Sequence, residues 1–136
     1  MAAIALVTAD KVEIVESNRQ MTLPAAEAIV AGAPVRLDTA TGKFTNANGS
    51  SAAEARIWGI ATRTVVAGEA LTAIRNGVMD GWDLSGLAYD APVYVSDTDG
   101  RLDTAAGTVS TVVGRVVPGT ATTLGTAYDK LLSVEL

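Results

Sequence analysis

An all-β fold, a small sandwich or barrel of jelly-roll type, is what the sequence predicts, and three observations predict it. Small and β-branched residues dominate: 24 Ala, 16 Thr, 16 Val and 13 Gly among 136 residues, with only 4% aromatic, a composition that suits thin, closely packed sheets better than long helices. A sixteen-residue pattern occurs twice, at 32–47 and again at 90–105. The apolar runs between are short and bounded by glycine and proline turns. The expected organisation is an N-terminal arm or lead-in over residues 1–31, then a duplicated β domain over 32–136 with repeat units of about 32–79 and 90–136.

Along the chain, Lys11 to Ser17 alternates, with Val12 and Ile14 apolar and Glu13 and Glu16 polar, which predicts a strand. Pro24 to Gly32 has proline near its start and glycine at its end, the asymmetry of a short helix. Eight residues are few for a stable helix, so an extended lead-in to the Val35 strand is the alternative. The prefix as a whole either reaches a neighbouring molecule or adds a strand to its own sheet.

The repeat begins at Gly32-Ala-Pro-Val and returns at Asp90-Ala-Pro-Val. Ala33/Ala91, Pro34/Pro92, Val35/Val93, Gly42/Gly100 and Ala47/Ala105 are identical. Proline opens the strand, where its missing N–H costs least. A polar run ending in glycine makes a tight turn, and Lys43-Phe44-Thr45 or Arg101-Leu102-Asp103 returns as the second strand of a hairpin. The runs Ile57 to Val66 and Thr108 to Val117 each hold a central glycine (Gly59, Gly114), where another backbone can approach closely. The last strands expected are Ala70 to Met79 and Lys130 to Leu136.

Composition excludes several chemistries. With no cysteine and no histidine, there is no disulfide, thiolate or cysteine-zinc site and no Ser-His-Asp or Cys-His machine. The net charge of −5 repels a nucleic-acid backbone. Charge is nonetheless segregated. Residues 32–79 carry Arg36, Lys43, Arg56, Arg63 and Arg75 against three carboxylates, net +2, while 80–136 carries three cations against eight carboxylates, net −5. An acidic partner would meet the middle third, but five cations spread over 48 residues are expected to be ordinary solvated surface. The N-terminal apolar run lacks a basic flank and no stretch reaches membrane-span length, so neither secretion nor membrane insertion is expected.

Asp97, Asp99 and Asp103 surround a glycine turn as in part of a calcium loop, but the closing glutamate is missing, and a solvated hairpin turn is the expected role. Asp80 and Asp83 flank Trp82, an arrangement compatible with glycoside cleavage and better explained as a turn after a strand. Trp58 and Trp82 are candidates for a sugar-binding surface or for core and interface anchors. Asn48-Gly49-Ser50 fits a glycosylation acceptor in form only and is expected to be a loop.

The segments Leu23-Pro-Ala-Ala-Glu-Ala-Ile-Val-Ala-Gly-Ala-Pro-Val-Arg-Leu-Asp, Thr41-Gly-Lys-Phe, Trp58-Gly-Ile-Ala and Gly77-Val-Met-Asp-Gly resemble the head-decoration (capsid cement) proteins of tailed bacteriophages. The second unit, Tyr89-Asp-Ala-Pro-Val-Tyr-Val-Ser-Asp-Thr-Asp-Gly through Val113-Gly-Arg-Val, is similar to that family's C-terminal half. The resemblance covers roughly residues 11–136. It implies a non-enzymatic protein without cofactor, made in the host cytoplasm and bound to the outside of the virion head. Its partners would be the major capsid protein and further copies of itself, as a dimer or trimer, with no direct nucleic-acid or membrane contact. Val12, Ile14, Arg19, Leu23, Arg36, Trp58, Arg63, Arg75 and Trp82 are the candidate capsid or subunit contacts. The alternative is a carbohydrate-binding β module using Trp58 and Trp82, and a more remote one is a hydrolase using Asp80 and Asp83.

Overall fold

In a computed structural model, which describes residues 3–7, 9, 12–119 and 130–136, the chain is all β, with no α-helix among those residues. Nine strands form one antiparallel sheet curled into a half-barrel. They are β1 (Glu13–Pro24), β2 (Pro34–Leu37), β3 (Phe44–Asn46), β4 (Gly59–Ala61), β5 (Ala70–Asp80), β6 (Pro92–Val95), β7 (Leu102–Asp103), β8 (Val112–Pro118) and β9 (Lys130–Glu135).

The strand order is β3-β2-β4-β5-β9-β8-β6-β7. Each repeat contributes a hairpin, a third strand and a closing strand in the same sequence, and the two closing strands, β5 and β9, pair at the centre through Asn76–Met79 and Leu132–Glu135. Local geometry repeats too. Gly32 has φ 86° and its counterpart Asp90 has φ 68°; Gly42 and Gly100 have φ 70° and 69°. Asp90 takes a left-handed conformation that aspartate tolerates better than bulkier residues.

β5 organises the molecule. One edge pairs with β4 at Ala73 and Ile74 and then with β9 from Asn76 to Met79. Its other edge pairs with β1 along its full length, from Ala70↔Pro24 to Asp80↔Glu13. Strand β1 runs seven residues beyond the alternating segment that signalled it. Val15 and Asn18 are extra residues that lack a partner in the register, while on β5 the extra residue is Arg75. Bulges of this kind break the period-two pattern and re-aim side chains, which is why alternation fades after Ser17 although the strand does not.

Residues 25–33 are not helical: bends at 26–27 and a turn at 31–32 separate single bridges at Ala25 and Ile29. Their main chain bonds outward, Ala25 N to Glu69 O at 2.9 Å, Ala26 N to Phe44 O at 2.8 Å and Ile29 N to Val65 O at 3.0 Å, so donors that a helix would pair internally are met by the sheet. Strand β4 is shorter than the Ile57–Val66 run, because its distal part turns away to pair Val65 with Ile29.

Two buried clusters form the core. One gathers Ile74 and Met79 of β5 with Val93, Val95, Val113 and Leu132; the other gathers Leu71 and Ala73 of β5 with Ala25, Ile29, Val35 and Phe44. The lead-in feeds both, through Ile4 and Val12 in the first and Ala25 and Ile29 in the second. Burying one such side chain contributes about 1.5–3 kcal/mol. Gly59 and Gly114 occupy equivalent positions in the two units: a Cβ on Gly59 would lie 2.7 Å from Ile74 O, and one on Gly114 would run into Ser133 O. Only glycine lets β4 meet β5 and β8 meet β9 that closely.

Candidate functional site

Arg63 excepted, the candidate contact residues divide into three groups. Val12 and Trp82 are core, 7% and 5% exposed, and Leu23 packs partly buried against the second cluster. Ile14, 40% exposed, and Arg19 lie on β1, together with Val15 at 52%. Arg63 lies apart, its Nη2 donating to Ala70 O at 2.9 Å across the β4–β5 turn. The third group converges: Arg36, Trp58 and Arg75 line one groove of about 740 Å³, together with Leu37, Ile57 and Arg56.

Each side chain of this groove arrives there for a local reason. Arg36 is the third residue of β2, and its cross-strand partner is Thr45 on β3. Arg75 is the extra residue of the β5 bulge, at the point where β5 changes neighbour from β4 to β9. There its Nη1 donates to Trp58 O at 2.9 Å and its guanidinium sits 5.4 Å from the Trp58 ring centre. Phe44 packs against the same indole at 5.8 Å, tilted by 50°. Arg56 comes from the 51–58 loop and is exposed. Among the described residues it has neither a hydrogen bond nor an ion pair.

Arg36 is the least satisfied member. Its Nε is buried without a hydrogen-bond partner, an arrangement that costs about 1–3 kcal/mol for an ordinary donor. Two carboxylates lie within electrostatic reach of it but serve other donors. Burial pushes the Glu27 carboxyl up, yet hydrogen bonds from Thr45 and Asn46, with Arg36 behind them, hold it below its usual value. The Asp38 carboxyl is lowered first by the Ala40 backbone N–H, at 2.9 Å, which outweighs its slight desolvation, and then by Thr41 and by Arg36. Glu27 is thus tied to β3 and Asp38 to its own turn.

The acidic clusters have local roles. Asp97 accepts from Thr108 N at 2.9 Å and Thr108 Oγ1 at 2.8 Å, Asp99 from Asn48 Nδ2 at 3.0 Å, and buried Asp103 from Ser96 Oγ and Ala105 N, both at 3.2 Å. The three carboxylates thus point to three different donor sets, and no group of three His, Cys, Asp or Glu side chains able to hold a metal occurs among the described residues. Asp80 and Asp83 share a cavity of about 430 Å³ with Trp82 and Lys130. Asp83 is nevertheless held below its usual pKa by the Ser85 hydroxyl and the Ser85 backbone N–H, the opposite of what a proton-donating acid needs. Asn48 Oδ1 accepts from Ser50 N and Oγ, so the Asn48-Gly49-Ser50 segment is a side-chain-stapled loop.

The residue missing from the expected contacts is Arg56. Its signal was the excess of cations in 32–79; the groove position itself depends on how the 51–58 loop lies against β2 and β5, which no local pattern encodes.

Strand β1 is the second candidate surface. Among the described residues it pairs with β5 alone, so its outer edge presents main-chain donors and acceptors over twelve residues. Such an edge is a ready template for another strand. Compared with protein-family models, curated proteins and solved structures, the chain matches none.

Proposed function

We propose that the chain is a head-decoration protein of a tailed bacteriophage, binding the outer face of the assembled shell and holding neighbouring coat subunits together against internal pressure. The observation that carries this reading is the long outer strand β1. Its edge is unpaired among the described residues and it exposes Ile14 and Val15, an arrangement suited to strand addition, in which main-chain hydrogen bonds supply affinity. The resemblance of residues 23–38 and 89–100 to capsid cement proteins supports it. So does the net charge of −5, which suits a surface facing away from a packed genome. Many copies, each with a modest contact, resist expansion together, because linked contacts reinforce one another.

The carbohydrate reading needs an exposed ring face. Trp82 is buried and Trp58 has Arg75 over its ring, so no observation favours it.

The test is to mix purified protein with undecorated shells and measure their disruption temperature. Retention on the shells and an upward shift are expected; neither binding nor shift overturns the proposal. Val15→Lys serves as the edge control, because Val15 is an exposed bulge residue without a register partner. It should weaken retention while leaving unfolding of the free protein within about 0.5 kcal/mol.

A further inference from the structure

The groove formed by β2, the 51–58 loop and Arg75 gathers positive charge beside apolar side chains. Three guanidinium groups, from Arg36, Arg56 and Arg75, converge on it against one lining carboxylate, Asp38, in a chain whose net charge is −5. Asp38 is engaged by the N–H of Ala40. Among the described residues both ion pairs are made by Arg115, far along the chain on β8, so the groove arginines form no ion pair there. Arg36 keeps a buried, unpartnered Nε. Between the cations the lining is apolar, from Leu37, Ile57 and the Trp58 ring.

We propose that this groove is a binding site for an acidic peptide segment, an extended stretch in which carboxylate side chains alternate with apolar ones. Each part of the lining has a matching part in such a ligand. Arginine presents a planar fork of donors that pairs with a carboxylate in bidentate fashion. The apolar floor takes the intervening side chains, as ligand sites generally combine a mainly apolar lining with a few placed polar groups. The size, about 740 Å³, accommodates a few residues rather than a single ion. The site is independent of shell binding through β1, and its assay contains no shell, so either can fail without the other.

The probe is a capped synthetic peptide of alternating Glu and Leu, compared with its Gln-for-Glu counterpart by calorimetry and by Trp58 fluorescence. The acidic peptide should bind with an affinity that falls as salt is raised, and the amide peptide about tenfold or more weaker. Arg56→Glu should lower affinity for the acidic peptide at least about tenfold, and Arg56→Lys by less, because it keeps the charge but not the fork. Both variants should melt as the parent does, since Arg56 is exposed and unpartnered. Equal binding of the two peptides, or an unaltered affinity in Arg56→Glu, overturns the proposal. Inorganic phosphate displacing the peptide at matching concentrations also overturns it, in favour of a small-oxyanion site. A change of sedimentation in Arg56→Glu would assign the groove to a second copy of this chain and overturn it likewise.

Discussion

Gly114 is the position where the smallest chemical change has the largest expected effect. Any Cβ there meets the Ser133 carbonyl oxygen, with Val134 Cα also within 3.2 Å, so β8 and β9 must separate to admit it. Gly114→Ala should therefore lose at least about 3 kcal/mol in denaturant unfolding, whereas Gly86→Ala, with nothing within 4 Å of its added Cβ, should stay within about 0.5 kcal/mol. Asp90 offers the reverse case. Its left-handed φ of 68° costs an L-residue about 1 kcal/mol. Its ion pair with Arg115 at 2.8 Å is solvent-exposed, and exposed pairs contribute little because water and salt screen them. The backbone effect is the larger, so Asp90→Gly should raise stability by about 0.5 kcal/mol and Asp90→Ala lower it by about 1 kcal/mol.

Among the elements, the lead-in from Ala25 to Ala33 carries a pH dependence. Glu27 receives hydrogen bonds from the Thr45 hydroxyl and from Asn46 N, the latter at 3.2 Å, and its carboxyl is held below the ordinary value of 4.5. A depressed carboxylate stabilises the fold above the unfolded-state pKa, and that contribution disappears as pH falls through the folded-state pKa. Below about pH 4.5 the tie between the lead-in and β3 should weaken. The side chain is largely exposed, so the effect is small: Glu27→Gln should cost about 0.5 kcal/mol at neutral pH and almost nothing at pH 3, read as the difference between two unfolding curves. Strand β1 shows how an element can be longer than its own pattern. Lys11 to Ser17 is the alternating segment, yet the pairing with β5 continues to Pro24, with Val15 and Asn18 inserted on one side and Arg75 on the other. The third insertion also places Arg75 over Trp58, so a strand irregularity and a groove residue have one cause.

For the whole molecule, the strand order reads the same from either end when the two units are exchanged, and β5 joins them by pairing with β4, β9 and β1 at once. The two units also touch away from the strands: Gly49 N donates to Ser96 O at 2.8 Å and Gly100 N to Ala47 O at 2.9 Å. An unfolding transition that is single and coincident by tryptophan fluorescence and by far-ultraviolet dichroism is the expected outcome, because Trp58 sits against the second cluster and Trp82 in the first, and both clusters share β5. Two resolved transitions would show that each unit melts alone.

The all-β class, the hairpin of each unit, the turn glycines and the close-approach glycines were determined by the sequence itself, since composition, proline placement and the 58-residue repeat are local properties that the backbone obeys wherever it lies. The helical option for Pro24 to Gly32 and the full length of β1 were decided by tertiary structure. In the first, sheet carbonyls from Phe44 and Val65 compete for donors that a short helix cannot hold; in the second, β5 supplies a partner edge that outlasts the alternation. The same division holds for the candidate site. An excess of cations in 32–79 was legible as charge, but gathering Arg36, Arg56 and Arg75 around Trp58, while Arg63 remains on its turn and Trp82 enters the core, depends on contacts between residues far apart in the chain, and those exist only once the sheet has curled.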